Sequence, residues 1–405
     1  MLFFGKFFAR IANYLLYFLV LQVFAKSWIS EWVIELSYYK ICFGFSLFGL
    51  DIIFYNSEKW GRQTIKILHS IAVITIGVFL VLVLWEAQWA LLSALSISVV
   101  RIEGVLLRRN HKLGAVLLED LYPVLLLLFT TALVYYFDVD FFKSMFFISL
   151  VSIAFLCKNL FLNFSIPRID QFDWSIIWIS IVNALFVYLN YINRQNLSVL
   201  DDDAVINFQF LFQIFLLINI ILQALQPNLL LKFDSREFEP LLGFVTVLGA
   251  LLTVFLGIVV SYNVDIINDF FSTRLNNDIV SLYTIMSIYS VLFYYEMFMS
   301  NVYNYSRKLG ALLLLSVFVT NVLLNTMIFP FWGYVMVQAL SIIVPFVISS
   351  LLYNVRQTLI RVVYGLVLSL DVVLIENTIV NMAFLVIPIS FVFYRWKLYR
   401  ECRVV

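Results

Sequence analysis

Charge is scarce in this chain of 405 residues: only 13% are Asp, Glu, Lys or Arg. A soluble domain carries about 25%. Cysteine numbers 3, histidine 2, proline 7 and glycine 13. Each shortage excludes something. The cysteines (Cys42, Cys157, Cys402) are odd in number and far apart, so they make neither a disulfide framework nor a thiolate metal site. With His69 and His111 as the only histidines there is no HExxH helix, and no Gly-rich loop is present to cradle phosphates, so neither a zinc hydrolase nor an ATP-driven engine is written here. Polar interruptions of at most about 10–15 residues are too short for a soluble domain core. The net charge of +1 argues against a nucleic-acid partner.

Hydrophobic residues make up 63% of the chain, with 41 Phe and 22 Tyr, and the mean hydropathy is +0.99. A fold in water cannot bury that much apolar surface, so the surrounding solvent is lipid. The first apolar stretch begins with Lys6 and Arg10, has no small-residue cleavage site and is followed by further spans. It is expected to be a first transmembrane helix and not a signal peptide.

A bilayer core needs about 20 apolar residues per helix. Cutting the sequence at its charged clusters gives fourteen expected spans: 7–25, 38–55, 67–85, 89–107, 118–137, 144–163, 174–192, 206–226, 240–262, 279–300, 309–329, 334–353, 359–372 and 377–394. The expected fold class is therefore an all-α polytopic membrane protein of about fourteen transmembrane helices. Sorting loop cations by parity tests the count. Lys26, Lys143, Arg194 and Arg274 fall on one side, Lys40, Arg101 and Lys158 fall inside spans, and the remaining 19 of the 26 basic residues fall on the other side. The positive-inside rule then puts both termini in the cytoplasm. Acidic residues such as Asp138, Asp140, Asp201, Asp202, Asp203, Asp265 and Asp269 gather on the opposite, extracytoplasmic side.

Lys112-Leu-Gly-Ala before the fifth span is repeated as Lys308-Leu-Gly-Ala before the eleventh, 196 residues later. Six helices separate the two copies, the offset of two parallel six-helix halves related by an axis along the membrane normal. The expected organisation is a six-helix lobe over 1–165, a second over 166–355, and two trailing helices with a basic tail over 356–405.

Ionisable groups at membrane depth are costly and face a bundle interior or a wet cavity. Arg101 and Lys158, with Arg10 and Lys40 behind them, are the candidate cationic lining for an anionic substrate. Lys40 and Arg10 lie near span ends, where snorkelling to the interface is the plain alternative. Asp51, Glu296, Asn183, Asn190, Asn321 and Asn325 are candidates for coupling or for polar cavity lining; the paired amides equally suit hydrogen bonds between helices. Asp138-Val-Asp140 resembles a sugar-phosphate metal motif but fits an acidic rim as well. No catalytic residue, metal or cofactor is expected.

The residues now in view resemble the polysaccharide exporters of the MOP superfamily, the Wzx-type flippases. Ser46-Leu-Phe-Gly49-Leu50-Asp51 is similar to the Gly-Leu-Asp that closes their second helix. Val105-Leu106-Leu107-Arg108-Arg109, followed by Gly114, Leu118 and Pro123, is similar to their fourth-to-fifth junction. Leu222 to Pro227 looks like their proline-closed eighth helix. Asn304-Tyr-Ser-Arg307-Lys308, then Asn321, Asn325, Ile328, Pro330, Gly333 and Asn354-Val-Arg356, follows the order of their eleventh and twelfth helices. The chain departs from the family where Asn193-Arg194 stands in place of Asp-Arg and Val335-Met336 in place of Gly-Ala.

The resemblance implies two six-helix lobes plus two trailing helices in the cytoplasmic membrane. It implies a substrate in which undecaprenyl pyrophosphate carries an oligosaccharide such as an O-antigen unit, flipped by alternating access. Partners would be this lipid-linked oligosaccharide, membrane lipid and other polysaccharide-assembly proteins, and the chain would not be an enzyme. A polymerase or lipid-sugar glycosyltransferase of the same pathway and a small-molecule exporter of the same superfamily are the alternatives. The former is disfavoured by the short loops and the latter by the in-span cations.

Overall fold

Leucine-, phenylalanine- and isoleucine-rich runs favour helix wherever the surroundings cannot solvate a bare backbone. The computed structural model describes residues 2–47, 89–109, 114, 118, 121–157, 175–231, 238–271, 273–295, 306–373 and 378–404. Among these residues the architecture is all-α, with no strand.

The helices are α1 (Leu2–Val23), α2 (Lys26–Leu47), α3 (Trp89–Arg109), α4 (Tyr122–Phe137), α5 (Phe141–Leu156), α6 (Ser175–Tyr191), the short α7 (Asn193–Leu197), α8 (Asp202–Leu231), α9 (Phe238–Tyr262), α10 (Val264–Phe271), α11 (Asn277–Ser290), α12 (Ser306–Thr326), α13 (Phe331–Tyr353), α14 (Val355–Val373) and α15 (Thr378–Val404). A π-turn, Val291–Tyr295, continues α11. Pro240–Tyr262, Arg307–Thr326 and Phe331–Leu352 are long and apolar enough to cross a membrane; Tyr14–Val23, Tyr122–Phe137, Phe141–Leu156 and Asn277–Phe293 are apolar but shorter. The second helix differs most from expectation, beginning at Lys26 instead of 38. Trp32, Val33 and Leu36, all buried, make one face of this mixed stretch apolar enough to pack as helix.

The chain forms two compact units. Unit 1 comprises Met1–Tyr17 and Ile34–Ile192; unit 2 comprises Phe18–Val33 and Asn193–Val405. The first hairpin thus contributes its base to one unit and its tip to the other. The two last helices, α14 and α15, belong to unit 2. The expected boundary at 165/166 lies outside the described residues.

In unit 1, α3 packs chiefly on α5, and α4 also packs on α5. Leu92, Leu95, Val100 and Ile102 of α3 are buried in that core. Gly44 lets α2 approach α6, because a Cβ there would meet Val187 at 2.6 Å. In unit 2, α9 is the central element, packing on α8, α11, α14 and α15. At Gly257 it lies so close to α11 that a Cβ would overlap Thr284. Apolar faces remain open on the outside. Leu315, Phe318 and Val322 of α12 and Val363 and Leu366 of α14 are exposed, as surfaces that meet acyl chains are.

The Asp138-Val-Asp140 triplet is the α4–α5 turn. Asp138 ends α4 in the left-handed conformation (φ 51°), its N–H donating to the Val134 carbonyl. Asp140 caps α5, its carboxylate accepting from Lys143 N–H at 2.8 Å. Short polar side chains are favoured at both positions because they tolerate αL or satisfy orphan N–H groups.

Candidate functional site

Two of the expected cations meet in unit 1. On α2, Tyr39 and Phe43 are one helical turn apart and their rings lie 5.6 Å apart between centroids. From α3, the Arg101 guanidinium lies 5.5 Å from the centre of the Phe43 ring. Lys40 holds its ammonium 5.4 Å from the centre of the Tyr39 ring. Tyr39 is itself in electrostatic reach of Arg101, of Tyr122 on α4 and of Tyr191 on α6. Four helices therefore bring two cations, one phenylalanine and three phenols together. Tyr39 is buried, whereas Arg101 and Lys40 are half-buried. Glu103, two residues beyond Arg101, is 1% exposed.

This combination can do something specific. Guanidinium and ammonium groups in a half-buried setting bind phosphate oxygens by charge-assisted hydrogen bonds. Phenols present an apolar face and a hydroxyl, the two features a sugar ring requires of a partner. The aromatic faces also hold the cations in place while they are unliganded.

Other candidates fall elsewhere. Asn190 turns back on its own helix, its Nδ2 donating to the Phe186 carbonyl at 2.8 Å, and Asn321 does the same to Val317 at 2.9 Å. Asn325 is exposed on α12. Arg10 and Asn183 lie on α1 and α6, but the description does not extend to their side chains; Lys158, Asp51 and Glu296 lie outside the described residues.

Unit 2 holds charged groups that the sequence reading placed in loops or passed over. Arg194, on the short α7, is fully buried. Its Nε donates to Gln209 Oε1 at 2.8 Å, and its guanidinium sits 4.2 Å from the Phe212 ring centre and 5.4 Å from that of Phe208. Beside it, Asn193 Nδ2 donates to the Tyr334 carbonyl at 2.6 Å. Arg361, 7% exposed, donates to Ser350 Oγ at 3.2 Å and Gln357 Oε1 at 3.0 Å. Asp371, 0% exposed, stands ten residues further along the same buried face of α14. Nothing in the local sequence distinguishes Arg194 from a loop cation, since its burial depends on helices that follow it. Asp371 falls in the thirteenth expected span and was legible as an in-span acid.

A third cluster ties three separated segments of unit 2. Asp203 pairs with Lys26 at 2.5 Å and with Arg274 at 3.0 Å. The segment carrying Arg274 is pinned from below. Its N–H donates to Asn207 Oδ1 at 2.9 Å and its carbonyl accepts from Asn207 Nδ2 at 3.3 Å. Asn268 Oδ1 accepts from Thr273 Oγ1 and from Leu275 N–H, both at 2.8 Å. Next to the ion cluster, Phe18, Phe210 and Phe271 form a ring triangle with centroids 5.1–5.9 Å apart. Among the described residues no group of three or more His, Cys, Asp or Glu side chains is arranged to hold a metal ion.

Family models, curated proteins and solved structures give no match to this chain.

Proposed function

We propose that this chain is a multi-pass flippase for lipid-linked oligosaccharides, moving an undecaprenyl-pyrophosphate-linked repeat unit across the cytoplasmic membrane by alternating access. The observation that carries the reading is the pairing of Arg101 and Lys40 with Tyr39 and Phe43. It supplies two half-buried cations for a pyrophosphate within one helical unit, with the half-buried phenols of Tyr122 and Tyr191 alongside for sugars. Arg101 and Lys158 are the proposed headgroup contacts, with Arg10 and Lys40 behind them.

The proposal includes fourteen spans in two six-helix lobes plus two trailing helices, and cytoplasmic termini. The ion cluster supports that topology from an independent direction. Charge parity assigns Lys26, Asp203 and Arg274 to the same membrane face, and these residues from three separate segments join in one cluster. Alternating access requires bodies that move as units, and the division of the chain into two compact units is in keeping with it.

The test is deletion of the gene followed by leaflet-resolved assay of lipid-linked intermediates and surface glycan. Complete repeat units held on the cytoplasmic leaflet, with surface polymer lost, are expected. Unpolymerised units on the outer leaflet would make the protein a polymerase instead. Charge reversal at Arg101 or Lys158 should abolish export while leaving the protein in the membrane; normal export from both variants would remove the site assignment.

A further inference from the structure

We infer that Asp371 is a proton-binding site, holding a proton in this conformation and releasing it when the packing around α14 opens. Asp371 is 0% exposed, and among the described residues neither carboxyl oxygen has a hydrogen-bond partner. A carboxylate enclosed without a cation or donor is among the costliest groups a fold can hold, and such a group neutralises by binding a proton. A structural role gives no reason for the residue, because an apolar side chain of similar size fills the same space at lower cost.

The surroundings select the proton over a metal cation. Hard cations require a shell of several oxygen ligands, and among the described residues neither carboxyl oxygen has a hydrogen-bond partner. The helices packed against α14 are α9, α11 with its π-turn, α13 and α15. Several of their described charged and titratable groups have neighbours other than this carboxyl. On α11, Tyr289 faces Gly365 and Ser369, and Tyr283 faces Phe208 and Phe215 of α8. On α13, Tyr334 lies edge-on to Phe329 and its backbone carbonyl accepts from Asn193. On α15, Arg395 lies over Phe391 and beside Gly243, Tyr394 stacks on Phe391 and Tyr399 packs on Trp396. On α9, Tyr262 is exposed.

On α14 itself Arg361 is engaged by Ser350 and Gln357. Tyr364, two turns before Asp371, is in electrostatic reach of the carboxyl, and its hydroxyl donates to the Val247 carbonyl at 3.4 Å. Asp371 with its proton bound is a neutral carboxylic acid, and among the described residues no hydrogen-bond partner stands against it. Departure of the proton leaves a carboxylate that only water or a cation admitted by repacking can stabilise.

The inference does not depend on the transport reading, and its test is separate. The full chain in lipid nanodiscs, labelled with carboxyl-13C aspartate, is examined by infrared difference spectroscopy across a pH series. The expected result is an aspartic acid C=O band, shifted by the label, that persists at neutral pH, disappears at alkaline pH and is missing from Asp371→Asn. Because the label identifies aspartate without any substitution, absence of the band from the wild type at neutral pH overturns the inference even if the variant fails to fold. A band that survives in folded Asp371→Asn overturns it too. Loss of export in the leaflet assay without loss of this band, or the reverse, shows which of the two proposals has failed.

Discussion

Arg194 and Arg101 are both arginines in a helical membrane chain, yet they occupy opposite kinds of environment. Arg194 is sealed, with Gln209 as hydrogen-bond acceptor and two phenylalanine rings against its plane. Arg101 is half-buried and lies over the Phe43 ring, with a second cation one helical turn away on the partner helix. A cation shut away from solvent among packed rings is part of the packing. A cation held by rings, with access remaining, is placed for a ligand. Side-chain type is the same in both, so the difference lies in what the tertiary structure leaves open.

That contrast can be broken most severely at the sealed site. Arg194→Ala is expected to cost about 3–5 kcal/mol, from a void between Phe208 and Phe212 and an orphaned Gln209 carbonyl. Thermal unfolding in detergent should show a large loss of stability or failure to accumulate. Asn207→Ala comes next, at about 1–3 kcal/mol, because it strands the N–H and the carbonyl of Arg274 together. Faster hydrogen exchange in residues 273–276 would report it. Asp203→Asn should cost at most about 1 kcal/mol, and the wild-type advantage should shrink with added salt, since Lys26 and Arg274 are solvent-exposed pairs. The smallest stability effect, under about 1 kcal/mol, is expected for Arg101→Ala. There the contrast sharpens: export should collapse while the melting curve stays near that of the wild type. If Arg101→Ala is instead as destabilising as Arg194→Ala, the two arginines are of one kind and the ligand reading of Arg101 fails.

The sequence carried the helices well where apolar runs were long, as at α9, α12 and α13, because backbone in lipid has no alternative to internal hydrogen bonding. It carried α2 poorly. Lys26, Glu31 and Glu35 suggest a loop, and only the burial of Trp32, Val33 and Leu36 makes the segment helical. Arg101 and Lys40 were legible as in-span cations, but their shared aromatic pair was not, since it joins residues about sixty positions apart on different helices. Arg194 was misjudged for a similar reason: a charge at the edge of an apolar run looks solvated until the later helices that enclose it are known. Asn190 and Asn321 each donate to the carbonyl one turn back, a bond always within reach on a helix and not visible in the spacing of the amides.

The divided first hairpin has a consequence for biogenesis. Lys26 leaves the ribosome 177 residues before Asp203, the acid with which it pairs. At about 5–20 residues per second, that is a wait of about 9–35 s. During it Lys26 is without Asp203 and Phe18 is without Phe210 and Phe271. An early segment therefore waits for partners made much later, and a slowed ribosome between codons 33 and 203 would lengthen the interval in which an insertase or a quality-control protease meets it.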